Sequence, residues 1–398
     1  MTPTAKHSLA LLAACALVCW MSDVSSARPA AATPRIVAIA DVHGDGDAFR
    51  RILKAVRLID DAGRWAGGNA TLVQTGDLLD RGANVRAVMD LLMGLEAQAK
   101  TAGGRVEALF GNHEGMNLIG ELRDTNPAAF ASFVDDRSDR RRADAYDEYA
   151  KLAASRSKAL GGAAAPYQKD REAWMAAHPA GFLEYREALG RDGRYGRWLR
   201  SRNAVAQIGD TIFLHGGISP DVASRSIKDI NDRVRNDVRA FDEGLREMVS
   251  SQLVLPSFTL QEVLEAVVLE VNSLKVPENL TEEQARHVAA LRDLVQINKS
   301  WLLDADGPLW FRGYANWTAK EGPRLIGPIL RKYNARYLVV GHTPMATTRI
   351  TPRFDNRVFL IDTGMLSSYY KGGRASALEI QNGRFTAIYA DERVPLEW

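Results

Sequence analysis

Residues 35–44 read RIVAIADVHG, and the fold turns on how that stretch divides. Arg35 to Ala40 is a short, nearly continuous apolar run, the pattern of a buried strand. It stops at Asp41-Val42-His43-Gly44-Asp45-Gly46, a loop by composition, after which Phe49, Ile52, Val56 and Ile59 recur at helical spacing. The unit of strand, polar loop and helix then repeats. Thr71 to Thr75 ends at Gly76-Asp77-Leu78-Leu79-Asp80-Arg81-Gly82 before a helix from about Val85 to Ala99, and Val106 to Phe110 ends at Gly111-Asn112-His113-Glu114. Strands alternating with helices predict an α/β fold with parallel pairing, in which ligands sit at the carboxyl ends of the strands. All three polar loops fall on that edge.

Further along, residues 121–200 carry dense mixed charge with tyrosine and tryptophan interleaved, which predicts a helical insertion. Strands resume at Ala204 to Ile208 and Thr211 to Leu214, the latter feeding His215-Gly216-Gly217. A second helical stretch is expected over about 223–303, broken at Pro256 and Pro277. Tyr337 to Val340 leads into Gly341-His342-Thr343-Pro344, and Val358 to Ile361 ends at Asp362-Thr363-Gly364. The chain closes with a hairpin whose turn is Asn382-Gly383.

Composition narrows the classes of function. Hydrophobic residues at 46% and charged residues at 25% describe a globular chain. Lys and Arg total 51 against 49 Asp and Glu, a net charge of +2 with no long run of one sign, so there is no electrostatic case for nucleic acid. At the N-terminus Lys6 precedes 13 apolar residues, Leu9 to Met21, too few for a membrane helix, which takes about 18 or more. Ser25-Ser26-Ala27 follows as a cleavage site. The organisation expected is therefore a signal peptide at 1–27, a spacer at 28–34 and one catalytic domain at 35–398 in the periplasm or outside the cell, with no stable membrane insertion once the leader is removed. An alternative takes Leu12 to Cys15 as a lipid-attachment box. Cys15 and Cys19 both precede residue 28, so disulfides and thiolate catalysis are excluded for the mature chain.

Histidine use is concentrated. His43, His113, His215 and His342 each end a predicted strand, with Asp41, Asp77 and Asn112 at equivalent loop positions. Imidazole and oxygen donors without thiolate suit manganese, iron or zinc.

The series Asp41-x-His43-Gly44, Gly76-Asp77-x-x-Asp80-Arg81-Gly82, Gly111-Asn112-His113-Glu114, His215-Gly216-Gly217 and Gly341-His342 resembles the calcineurin-like metallophosphoesterases, and within them the phosphoprotein phosphatases. The insertion, Gly307 to Tyr314 (GPLWFRGY) and Ile361 to Met365 (IDTGM) resemble the bacterial Shewanella-like branch. The resemblance implies an αββα sandwich of two mixed sheets flanked by helices. It implies two divalent metal ions, manganese foremost with iron or zinc as alternatives, one held by Asp41, His43 and Asp77 and the other by Asp77, Asn112, His215 and His342. It implies a metal-activated hydroxide attacking a phosphomonoester of a phosphorylated protein or peptide. His113 is then the general acid with Asp80 as its partner, and Arg81, Asn112 and Arg312 contact the phosphate, Arg312 being equally readable as an ion pair. Glu114 supports its loop, and Asp362 is expected to be structural. Two departures stand out: Ala40 replaces the usual glycine, and Pro344 replaces the second histidine of Gly-His-x-His, leaving the first metal with fewer ligands. Competing expectations are a nucleotide pyrophosphatase of the dinucleoside tetraphosphatase type, against which Glu114 and the leader argue, and a noncatalytic phosphate-binding module. The aromatic residues of the insertion have two readings, a wall for the substrate or core packing.

Overall fold

The computed structural model describes residues 35–397 apart from 160, 162–164, 166 and 275–278; the expected signal peptide at 1–27, spacer at 28–34 and Cys15 lie outside the described residues. The strands in chain order are β1 (Ile36–Ile39), β2 (Thr71–Gln74), β3 (Arg105–Ala108), β4 (Val205–Ile208), β5 (Thr211–Leu214), β6 (Tyr337–Val340), β7 (Thr351–Arg353), β8 (Val358–Leu360), β9 (Ser376–Gln381), β10 (Arg384–Tyr389) and β11 (Arg393–Leu396). They form a six-stranded sheet in the order β11-β10-β9-β1-β2-β3 and a five-stranded sheet in the order β4-β5-β6-β8-β7. Each has a parallel centre, β1 with β2 and β3 in one and β5 with β6 and β8 in the other, bounded by antiparallel strands.

The unbroken apolar run of β1 follows from its having no solvent face. Ile36 and Ala38 point into one core cluster with Val73, Phe213, Val339, Phe359, Leu378 and Phe385, side chains drawn from both sheets, so this layer lies between them. Val37 and Ile39 point the other way, against Phe49, Ile52 and Leu53 of the helix Gly46–Ala55. Phe359 and Phe385 stack across the sheet interface at 4.6 Å. The methyl group of Ala40 lies in the same inter-sheet layer. The arrangement is the expected αββα sandwich.

Two strands go beyond the sequence reading. β7 contains Pro352 and β11 contains Pro395, and both are edge strands. Proline cannot donate to a central ladder and so weakens the strand signal, yet an edge tolerates it. The predicted hairpin forms from β9 and β10, with Asn382 and Gly383 both at positive φ (51° and 72°), the turn conformation that matches strand twist.

Residues 121–200 carry the helices Pro127–Ala131, Ser138–Ala159, Arg171–Ala177, Phe182–Leu189 and Arg194–Arg200. Their aromatic residues do not form a substrate wall: Tyr149, Tyr167, Trp174, Tyr185, Tyr195 and Trp198 are buried in the helical core. Trp174 stacks on His178 at 4.0 Å, and Phe130 and Phe133 meet Tyr185 edge to face. Removing large side chains of this kind costs about 3–5 kcal/mol each. The second helical stretch comprises Ile227–Ser250, Leu260–Ser273 and Glu282–Val295, each entered through a capping box, Ser226 with Asp229, Thr259 with Glu262 and Thr281 with Gln284. No helix among the described residues is long and apolar enough to cross a membrane.

Candidate metal centre

Loops leaving the carboxyl ends of the parallel strands converge on one point. β1 delivers Asp41 and His43, β2 delivers Asp77, Asp80 and Arg81, and β3 leads to Asn112 and His113 in the helix Asn112–Leu118. From the other sheet, β5 delivers His215, β6 His342 and β8 Asp362. The loops touch through glycine: a methyl group on Gly82 would lie 2.3 Å from the His43 carbonyl oxygen, and one on Gly111 2.3 Å from Asp77 Oδ1. His43, Asp77, Asp80, Arg81 and His342 all adopt positive φ (45°, 60°, 67°, 64° and 68°), a strained conformation for side chains other than glycine that clusters at functional sites. Glu114 holds the strain in place. Its carboxylate accepts the backbone N–H groups of Asp77 (2.8 Å), Leu78 (2.8 Å), Leu79 (3.3 Å) and Gly111 (2.9 Å), tying two motif loops together.

Three imidazoles are oriented by backbone carbonyls, which can only accept. His43 donates Nδ1–H to Leu79 O (2.9 Å), His215 donates Nδ1–H to Thr75 O (2.9 Å) and His342 donates Nε2–H to Trp310 O (3.0 Å). The remaining nitrogen of each neutral ring therefore presents a lone pair, as when a carbonyl holds the far side of a metal-binding histidine. His215 Nε2 lies 3.1 Å from His342 Nδ1, 2.7 Å from Asn112 Oδ1 and 3.2 Å from Asp77 Oδ1. On the other side His43 Nε2 lies 3.6 Å from Asp77 Oδ2 and 3.8 Å from Asp41 Oδ2. Acceptors converging on acceptors call for positive charge, supplied by a metal ion or, in its absence, by a proton on His215 Nε2. Asp77 stands between the two groups and belongs to both clusters of potential ligands, His43–Asp77–His113 and Asp77–His215–His342. Electrostatics point the same way. Burial opposes charge on His215, yet Asp77 and Asp41 push its pKa up to about 9. Burial also works against the Asp77 carboxylate, but His215, His113 and His43 hold it well below the usual range. The donor set of carboxylate, amide oxygen and imidazole fits borderline and hard divalent ions.

His113 differs from the other three. Its Nδ1 meets a carboxylate, Asp80 Oδ2, at 2.7 Å, and burial notwithstanding, Asp77 and Asp80 raise its pKa. Asp80 is itself fixed by Thr125 Oγ1 (2.7 Å) and Asn117 Nδ2 (2.8 Å), and Asn117 is held by the Tyr185 hydroxyl (2.5 Å). Arg81 lies over this rim. Its Nη2 is 3.1 Å from His113 Nε2, its Nη1 contacts His43 Nε2 and donates to the Tyr370 hydroxyl, and its Nε is buried without a partner. Its guanidinium also sits 4.9 Å from the ring centre of Tyr369, which is 57% exposed and so forms open wall at the site. Arg312 makes no ion pair among the described residues; it donates to His342 O and Thr343 Oγ1, both at 3.0 Å.

The structure thus brings together Asp41, His43, Asp77, Asp80, Arg81, Asn112, His113, His215 and His342, with Arg312 beside His342. His178 and His287 lie elsewhere, one stacked on Trp174 and the other paired with Glu247. Sequence reasoning missed Asn117, Thr125, Tyr369 and Tyr370. The tyrosines close the segment Thr363 to Tyr370, which by the family resemblance corresponds to a C-terminal loop beside the metals, although nothing in the sequence singles out either side chain.

Comparison with known proteins agrees with this geometry. A family model described as calcineurin-like phosphoesterase matches residues 34–346. Shewanella-like protein phosphatase 1 of Plasmodium berghei is 25% identical over 89% of this chain and 74% of its own length, and Shewanella-like protein phosphatase 2 of Arabidopsis thaliana is 33% identical over 53% of each. Among solved structures, the cold-active protein-tyrosine phosphatase of a psychrophilic Shewanella species superimposes with a TM-score of 0.58 at 27% identity, covering 92% of this chain and 81% of that one.

Proposed function

The chain belongs to the calcineurin-like phosphoesterase family, a family of hydrolases, and from that membership we propose that it is a metal-dependent protein phosphatase of the Shewanella-like branch. The observation that carries the reading is the convergence of Asp41, His43, Asp77, Asn112, His215 and His342 lone pairs beside a carboxylate-backed His113 and an arginine with a free donor. Those six residues would hold divalent metal ions, which when bound would supply Lewis-acid charge and an activated water. Manganese is our proposed metal, with iron and zinc accepted by the same donors.

The residues of the chain perform the rest. Arg81 offers a planar guanidinium to two phosphoryl oxygens, and Arg312 and the Asn112 amide bind from the flanks. His113, kept cationic by Asp80, gives its proton to the leaving oxygen. Among the four imidazoles His113 alone is backed by a carboxylate and not by a backbone carbonyl, which favours the acid role although its Nε2 lies 3.8 Å from Asp77 Oδ2. Glu114 is committed to four backbone N–H groups and takes no part in proton transfer.

A protein-sized substrate is supported by an apolar groove that shares Trp310 with the surroundings of the site. A cavity of about 920 Å³ is lined by Leu260, Leu264, Val268 and Leu269 of the helix Leu260–Ser273 and by Leu303 and Trp310. The Trp310 carbonyl orients His342 and its ring lies 5.8 Å from that imidazole, so one wall residue of the groove also borders the metal centre. Its occupant in this reading is the apolar flank of the phosphorylated segment. Val268 is 46% exposed, so Val268→Asp leaves the fold intact. That variant is expected to raise KM about 10-fold for phosphopeptides with apolar flanks, near the 1.4 kcal/mol of a lost apolar contact, while p-nitrophenyl phosphate turnover stays level. An equal effect on both substrates, or none on either, would remove the groove from substrate binding.

Turnover of phosphotyrosyl, phosphoseryl and phosphothreonyl peptides by the protein under several divalent metals tests the main reading. Hydrolysis of dinucleoside tetraphosphates in preference to every phosphopeptide would replace it with the pyrophosphatase alternative. We also propose export. The mature chain is expected to begin near Arg28 and to be recovered in the periplasm or medium; intact Met1 in a cytoplasmic fraction would refute this, and a diacylglycerol-modified Cys15 would favour the lipoprotein form.

A further inference from the structure

Of the described carboxylates, two bury an oxygen that has no hydrogen-bond partner, Glu184 and Asp362. Glu184 is compensated through its other oxygen, which takes Ser138 Oγ (2.6 Å) and an ion pair from Arg141. Asp362 has no such relief. Its Oδ1 accepts only the Gly364 N–H (2.9 Å), its Oδ2 accepts nothing, and no lysine, arginine or histidine pairs with it among the described residues. A buried carboxylate left in that state is costly unless a cation or a proton arrives, because the interior cannot solvate the charge.

The position says which cation. Asp362 follows β8, whose neighbour β6 leads to His342, so it stands on the same sheet edge as the metal donors. The Ile361 N–H donates to Val340 O (2.8 Å), which sets Asp362 alongside the Gly341–His342 turn, and the His342 N–H of that turn donates to Asp41 Oδ1 (3.0 Å). A second buried orphan, Thr75 Oγ1, borders the same place: a methyl group on Gly341 would lie 2.4 Å from Asp41 Oδ1 and 3.0 Å from Thr75 Oγ1. This is the side of the centre where Pro344 replaces a histidine and where Asp41, His43 and Asp77 are the implied ligands. Two ligand carboxylates, Asp41 and Asp77, face two divalent charges there. A third carboxylate with an unused oxygen would restore part of the missing balance.

We propose that Asp362 is a metal-retaining carboxylate of the Asp41 side of the centre, acting through its charge from outside the ligand set, and not a structural aspartate. The inference rests on the two-metal reading above. Asp362→Asn separates the alternatives, since the amide oxygen still accepts from Gly364 while the charge is lost and a neutral NH2 group replaces the unpaired Oδ2.

The test is manganese binding to the chelator-stripped protein, followed by calorimetric titration and metal analysis, with thermal melting of both stripped proteins. The wild type should take up about two equivalents, and Asp362→Asn should hold the weaker one 10- to 100-fold less tightly, the usual effect of losing an outer-shell partner. The melting point of the stripped variant should equal or exceed that of the stripped wild type, because a buried uncompensated carboxylate has been removed. Manganese affinity within twofold of the wild type would overturn the proposal, as would a loss of affinity that appears only together with a lower melting point of the stripped protein, the mark of a structural role. A wild type that binds no manganese, iron or zinc would instead overturn the two-metal reading itself.

Discussion

Asp77→Asn is expected to lower kcat/KM by about 10³-fold or more, about 4 kcal/mol of transition-state stabilisation, and to reduce the metal retained after gel filtration. Asp77 is the one carboxylate shared by both ligand groups, with Oδ1 at 3.2 Å from His215 Nε2 and Oδ2 at 3.6 Å from His43 Nε2. An amide presents one acceptor oxygen where the carboxylate presents two and carries no charge to set against paired cations. Folding should survive, for two reasons. Asp77 has a φ of 60°, a conformation asparagine adopts readily, and the oxygen that accepts the His113 backbone N–H (3.1 Å) has a counterpart in the amide. A lost activity can therefore be assigned to the metals and not to collapse of the loop. Full turnover with unchanged metal content in this variant would sink the assignment of Asp77 as the bridge.

What the sequence could and could not reveal follows from how each feature is encoded. β1 was legible because both of its faces are buried, which writes an apolar run into consecutive residues, and the donors were legible because each one ends such a run. β7 and β11 were not, since Pro352 and Pro395 erase the strand signal at edges where a missing N–H costs nothing. The aromatic residues of the insertion looked the same whether they faced a substrate or a core; only the packing of Tyr149, Trp174 and Tyr185 decides it. Thr125 and Asn117 carry no motif of their own: Asn117 reaches Asp80 from the helix Asn112–Leu118, and Thr125 does so because the insertion folds back over the β2 loop. The backbone makes the same connection, with Arg81 N–H donating to Asp124 O (3.0 Å) and Asn126 Nδ2 to Arg81 O (2.9 Å). The insertion therefore does more than decorate the sandwich: its first residues fix the Asp80 carboxylate and the Arg81 backbone, from which the guanidinium reaches the site. Asp362 is the converse case. Its identity was plain in the sequence, but whether its carboxylate had a partner is a fact of three dimensions.

His113→Asn is expected to slow hydrolysis of phosphoseryl and other alkyl esters by about 10² or more, while metal content stays at the wild-type level and p-nitrophenyl phosphate, whose leaving group departs without a proton, loses far less. The discrimination depends on the geometry around the ring. His113 Nδ1 is bound by Asp80 at 2.7 Å, so the proton exchanged with a leaving oxygen is carried on Nε2, which accepts from Arg81 Nη2 at 3.1 Å in this structure, lies 3.8 Å from Asp77 Oδ2, and becomes the donor when the guanidinium turns to the phosphate. A proton donor beside the phosphate clamp and the bridging ligand is in reach of the scissile ester. If His113 were a metal ligand, its loss would show first as lost metal and would affect good and poor leaving groups alike. Thr125 and Asn117 still hold the Asp80 carboxylate in the variant, but removing its imidazolium partner leaves a buried charge less compensated, and a stability loss of about 1–3 kcal/mol should accompany the change. Asp80→Asn gives the complementary result: the imidazole remains, its cationic form loses its main support, and the same alkyl esters slow by a smaller factor, about 10-fold. Equal losses on activated and unactivated esters in both variants would reassign the pair to a structural role, and depletion of metal in His113→Asn would make His113 a ligand.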